Sequence, residues 1–113
     1  MPVKIKSIYE PKSKDDGMRV LVMRFWPRGI SKDKIDIWEK DLGTPAELIK
    51  RWKKGSVSWR KFSGEYRRFA VQHNDKIKEL ADRSKTETIT LLSSCKDEKH
   101  CHRSLLKELI SKK

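Results

Sequence analysis

Thiol, imidazole and guanidinium groups crowd into one short stretch, Ser93-Ser94-Cys95-Lys96-Asp97-Glu98-Lys99-His100-Cys101-His102-Arg103. Apolar residues before it predict a strand and those after it a helix, so backbone N–H groups and the helix N-terminus would draw an anion there. A thiol so placed tends toward thiolate, because the helix end and nearby cations favour the charge. Cys95 is therefore the candidate nucleophile and His100 the candidate acid or base, with Cys101, His102 and Arg103 around the anion. A second cluster lies upstream in Arg24-Phe25-Trp26-Pro27-Arg28. Two guanidiniums flanking Trp-Pro suit a phosphate or carboxylate, whose oxygens match the planar fork. The Trp26 indole offers a stacking platform for a base or ring. Lys40 and Asp41 form a third candidate, since a desolvated lysine beside a carboxylate is poised for proton transfer.

Each group has a plainer alternative. Both cysteines could simply pack at a helix start. Arg24 and Arg28 could pair with Glu39, Asp41 or Glu98, and Lys40 with Asp41 could be a surface ion pair of little worth. Phosphotyrosine-phosphatase loops share the strand–Cys–loop–Arg–helix order. Here, however, seven residues separate Cys95 from Arg103, a longer gap than that loop takes, and no glycine lets the segment wrap tightly. Two cysteines and two histidines within eight residues also suggest a metal. On a helix the neighbours Cys101 and His102 would point about 100° apart, which argues against a closed mononuclear site. A reversible Cys95–Cys101 disulfide fits the spacing. The sequence thus calls for no metal and no cofactor.

These groups need a scaffold. Val3-Lys4-Ile5-Lys6-Ser7-Ile8 alternates as a half-buried strand does, and Glu10 to Gly17 is polar with turn residues. Arg19 to Trp26 predicts a second strand, buried on both faces because its apolar residues run together. Pro27 ends it, lacking an N–H for the ladder, and Ser31 can cap a short helical segment. Thr44-Pro45-Ala46-Glu47 reads as a capping box with proline in the first turn. It opens a helix to about Lys54 that buries Leu48, Ile49 and Trp52, with Gly55 ending it. Ser58 opens a longer helix with Trp59, Phe62, Tyr66, Phe69 and Ala70 on one face. Asn74 or Asp75 starts a third, with Ile77, Leu80 and Ala81 inward. Thr88 to Leu92 is β-branched and apolar, a strand, and about Glu98 to Ser111 is a helix carrying Leu105, Leu106, Leu109 and Ile110. Trp52, Trp59, Phe62 and Phe69 sit at core spacing, and His73 falls at an exposed helix end.

The order predicts a small α/β domain: a short, mostly parallel sheet flanked by helices in a Rossmann-like three-layer arrangement. Parallel strands from Arg19 and Thr88 bring Trp26–Arg28 and Ser93–Cys95 to one edge. In open α/β sheets that edge is where ligands sit.

At 113 residues, 39% charged and 35% hydrophobic, the chain suits one domain with a thin core. Its formal net charge of +12 attracts anions, small or polymeric. No apolar run approaches the roughly 18 residues of a membrane span. The first residues lack a secretory apolar region, and two cysteines make no disulfide framework. A cytoplasmic protein without membrane contact follows.

Arg19-Val-Leu-Val-Met-Arg-Phe-Trp-Pro-Arg-Gly-Ile-Ser-Lys32, then Trp38-Glu-Lys-Asp-Leu42 and Pro45, resemble the YeaO-like family, domain of unknown function 488. So do Tyr66-Arg67, and Thr90-Leu-Leu followed by Lys96-Asp97 and His100. The resemblance covers nearly the whole chain and implies a small cytoplasmic α/β domain with no assigned reaction. The chain departs from the family at Met23, where an acidic residue is usual before Arg24. Its Cys101-His102-Arg103, with Cys95 upstream, instead resembles a sister branch in which a strand-end cysteine precedes Cys-His-Arg.

Together these readings point to an enzyme acting on a small phosphorylated or nucleotide-like substrate in a basic pocket at the strand ends. The alternatives are a nucleic-acid-binding module, which rests on the +12 charge alone, and a redox-sensing interaction protein built on the cysteine pair.

Overall fold

The computed structural model describes residues 3–95 and 100–113. Four parallel strands, β1 (Val3–Ser7), β2 (Met18–Leu21), β3 (Ile37–Trp38) and β4 (Ile89–Ser93), form one sheet in the order β1-β4-β2-β3. The helices are α1 (Ala46–Lys53), α2 (Trp59–Ala70), α3 (Asn74–Ser84) and α4 (His102–Ser111). This is the expected small α/β domain with a parallel sheet.

Central β4 is buried along its whole length, as a strand covered on both faces must be. Val20, Ile89 and Leu91 face a core built with Leu48 of α1, Phe62 and Tyr66 of α2, Ile77 and Leu80 of α3, and Leu105 and Leu106 of α4. Trp52, Trp59 and Phe69 pack at the edge of that core, partly buried. Leu21 and Leu92 point the other way and meet Ile8, Met23, Trp26, Ile30 and Ile35. All four α-helices thus serve one face, and the irregular segment 23–35 covers the other.

The second face also carries charge. Arg19 points there beside Asp16, and both side chains are almost wholly buried. Asp16 ends a 3-10 turn, Lys14–Asp16, capped by Ser13 in a complete capping box. Lys6 closes on the same carboxylate at 3.0 Å, and the Thr90 hydroxyl donates to the Asp16 carbonyl at 2.7 Å.

Two local expectations are corrected, and one strand is added. Strand β2 stops at Leu21, not Trp26, although the Val22 N–H still donates to Leu92 at 3.0 Å. Beyond it the backbone of Met23 and Arg24 lies against Gly43, where no side chain intervenes. The capping box at Thr44 does not form. Thr44 is buried, Pro45 stands at the cap position, and no side chain caps α1. Strand β3 was not foreseen, being too short to show a period. It is defined by its pairing with Val20 and Leu21. Ser58 does cap α2, accepting from the Lys61 N–H at 3.2 Å. The expected helix start near Glu98 and the candidate partner Glu98 lie outside the described residues.

The Tyr66 hydroxyl, fully buried, donates to the Leu42 carbonyl at 2.6 Å, and burial pushes the phenol far above its usual range. Tyr66→Phe strands that carbonyl. We expect a loss of about 1–2 kcal/mol in urea unfolding with an unchanged slope.

Candidate functional site

A cleft of about 840 Å³ opens at the carboxyl ends of β2 and β4. The exit of β2 supplies Met23, Arg24 and Phe25, and the exit of β4 supplies Ser93, Ser94 and Cys95. The start of α4 supplies Cys101 and His102, preceded by His100. Helix α1 forms the facing wall. Its Ala46, Ile49, Lys50 and Lys53 recur at i, i+3, i+4 and i+7, hence on one side. Trp52 and Phe62 complete the apolar lining. Arg24, Lys50 and Lys53 are cationic, and no carboxylate occurs among the described lining residues.

Cys95 and Cys101 are joined in a disulfide, with their Cα atoms 6.0 Å apart. Cys101 is buried and Cys95 partly exposed. The Ser93 hydroxyl lies 3.1 Å from the Cys101 sulfur. Arg103 is buried beneath, its guanidinium donating to the Lys6 carbonyl at 2.9 Å and the Ser93 carbonyl at 3.1 Å. It ties β1 and β4 to α4 and does not line the cleft.

His102 is the best-defined polar group of the site. Its Nε2 meets the Val22 carbonyl oxygen, which only accepts, so the proton sits on Nε2. That leaves Nδ1 bare, 3.6 Å from the Cys101 sulfur. Burial drives the imidazole pKa down to about 4, with the Arg103 charge helping and the Val22 bond opposing. The ring is neutral at pH 7.

Cys101 has φ −135° and ψ 144° and stands outside the helix as its cap residue. Its extended backbone turns the sulfur back toward the His102 ring. The argument that two helical neighbours must diverge therefore does not apply here.

Arg24, Cys95, His100, Cys101 and His102 thus share one cleft. The Arg24 guanidinium lies 5.7 Å over the Phe69 ring, and its Nε donates to the Thr44 carbonyl at 3.4 Å. His100 stands at the rim, with its ring edge-on to Trp59 at 5.1 Å. The remaining candidates lie elsewhere. Trp26 packs on the second sheet face, donates from Nε1 to the Ile30 carbonyl at 2.8 Å and meets Trp38 edge-on. Arg28 is exposed, its carbonyl accepting from the Tyr9 hydroxyl at 3.4 Å. Lys40 lies 5.8 Å over Trp38. Asp41 pairs with Lys76 at 3.2 Å, and that ammonium holds its carboxyl below the usual range.

The α1 wall escaped the sequence reading. Its signal is the Ala46, Ile49, Lys50, Lys53 spacing, a helix face that places two lysines beside small and apolar residues.

A family model described as the active DUF488-N3 subclade matches residues 3–113. The chain is 36% identical over 108 residues to the uncharacterised protein YeaO of Escherichia coli (strain K12), covering 94% of each chain. It is 28% identical over 111 residues to the uncharacterised protein Rv3073c of Mycobacterium tuberculosis (strain ATCC 25618 / H37Rv), covering 96% of this chain and 93% of that one. No solved structure matches.

Proposed function

The chain belongs to the YeaO-like DUF488 family, and from that premise we propose that it is an enzyme acting on a small phosphorylated or nucleotide-like substrate held in the cleft. One observation carries the reading. Cys95 and Arg24, on segments far apart in sequence, line a single cleft whose described charges are all cationic.

Arg24, Lys50 and Lys53 bind the anion, and Trp52 and Phe62 take the flat apolar part. The cleft volume of about 840 Å³ lies within the range of small-molecule sites. Cys95 is the reactive sulfur once the disulfide is reduced, being the more accessible of the pair. The N-terminus of α4 and the surrounding cations favour its thiolate. His100 at the rim moves the proton. The family model's description as an active subclade supports an enzyme over a purely structural role.

The test is alkylation of the reduced protein, read at Cys95 by mass spectrometry. Anionic iodoacetate should gain on neutral iodoacetamide by about tenfold relative to free cysteine, through the cationic cleft. Inorganic phosphate or a nucleoside monophosphate should slow both reagents, and Arg24→Ala should abolish the protection. Equal rates with and without these anions would overturn the proposal.

A further inference from the structure

We propose that the reduced Cys95–Cys101 pair and His102 form a binding site for a borderline-soft divalent transition metal of the zinc type, with one coordination position open to the cleft. The cation class follows from the ligands, two sulfurs and an imidazole nitrogen, which suit zinc or cobalt and not magnesium or calcium. The sulfurs of Cys95 and Cys101 and a ring nitrogen of His102 lie within 4.8 Å of one another.

Three features make this more than proximity. First, the bare Nδ1 of His102 lies 3.6 Å from the Cys101 sulfur. Thiolate and imidazole ligands of one tetrahedral zinc ion stand about 3.5 Å apart, given bonds near 2.3 and 2.0 Å. Second, the imidazole is already oriented. Its Nε2–H is held by the Val22 carbonyl, the outer contact that metal-bound histidines ordinarily make. Third, all three residues line the cleft. Three protein ligands and an accessible fourth position are the pattern of catalytic zinc, whereas structural sites are closed by four.

The disulfide must open first. A dithiol or phosphine reductant supplies two electrons and cleaves the S–S bond, and two protons convert the sulfurs to thiols. The freed sulfurs then separate to the roughly 3.8 Å that two ligands of one ion require. The ion replaces both thiol protons. With the ion bound, Cys95 would serve as a ligand in place of a free thiolate, and the position open to the cleft would supply Lewis-acid chemistry. The inference needs the geometry of the cleft floor and not the substrate class proposed above.

The test adds cobalt(II) to phosphine-reduced protein without oxygen. One equivalent should produce the visible bands of a tetrahedral ion and a thiolate-to-metal band in the near ultraviolet. Zinc should bleach both and block alkylation of the two cysteines, while magnesium does nothing. Cys95→Ser and His102→Gln should each weaken uptake by more than the ~10–100-fold typical of losing an outer-shell contact. His102 is buried, so Cys95→Ser, at a partly exposed position, keeps the test valid if the histidine variant fails to fold. Absence of the charge-transfer band, uptake unchanged in Cys95→Ser, or a disulfide that native protein will not release would each overturn the proposal. Phosphate protection of metal-free Cys95 is read separately, so either proposal can fail alone.

Discussion

Asp16→Ala should cost about 3–5 kcal/mol of folding stability, read as a fall in the urea midpoint, because it leaves a buried guanidinium without its counter-charge. The Asp16 and Arg19 side chains retain only 3% and 1% of their exposure, so water cannot replace the lost partner. Lys6 bonds both carboxylate oxygens at 3.0 and 3.1 Å, and the Ser13 N–H adds a third donor at 3.0 Å. Arg19 is further fixed by the Lys34 carbonyl at 2.7 Å, so it cannot swing out to solvent. Arg19→Met added to Asp16→Ala should recover much of the loss, since removing both charges of a buried pair is far less costly than removing one. The pH dependence has a definite sign. Burial alone would raise the Asp16 carboxyl, but Ser13, Lys6 and Arg19 outweigh it and leave it below 3.8. Stability from this ionised carboxylate is therefore complete above its unfolded value and lost as pH falls below it. Asp16→Asn should flatten the acid limb of a stability–pH curve in that window. A single alanine variant with the wild-type midpoint would refute the account.

That network also shows what the sequence conceals. Asp15-Asp16-Gly17 reads as solvated turn chemistry, and nothing local says that Asp16 turns inward to a residue three positions later. The run from Val20 to Val22 was legible because a strand covered on both faces leaves no polar period. Helices α2 and α3 were legible because their apolar positions repeat every three or four residues over at least two turns. The Cys95 to Arg103 cluster and Arg24 could be picked out by residue type. The directions of Trp26 and Arg28 could not, since they depend on how the chain turns after Val22. That turn is set by residues twenty positions later. The same limit applies at Cys101, where an extended cap backbone, invisible in the helical pattern, brings sulfur and imidazole together.

Gly43→Ala tests the turn itself. A Cβ on Gly43 would lie 2.2 Å from the Arg24 backbone nitrogen and 2.6 Å from the Met23 carbonyl carbon. Gly43 has φ −71° and ψ 152°, a conformation open to any residue, so the effect is steric only. The atoms it meets are backbone, which no rotamer change can move aside. One side is anchored to β4 through the Val22–Leu92 bond, the other by the Tyr66 bond to Leu42 and the Gly43 N–H on the Lys40 carbonyl. Relief requires parting the β2 exit from the loop before α1, at a cost at or above the upper end of the usual 1–3 kcal/mol for overpacking. The same parting displaces Arg24 and Thr44, which line the cleft, so phosphate should no longer protect Cys95 from alkylation even where the variant remains folded. Gly64→Ala supplies the contrast. Gly64 lies within α2 and a Cβ there meets nothing within 4 Å, so it should stabilise by about 0.5–1 kcal/mol through helix propensity and leave protection intact. A Gly43→Ala protein with wild-type midpoint and wild-type phosphate protection would show that the β2 exit and the α1 wall are not clamped at this glycine.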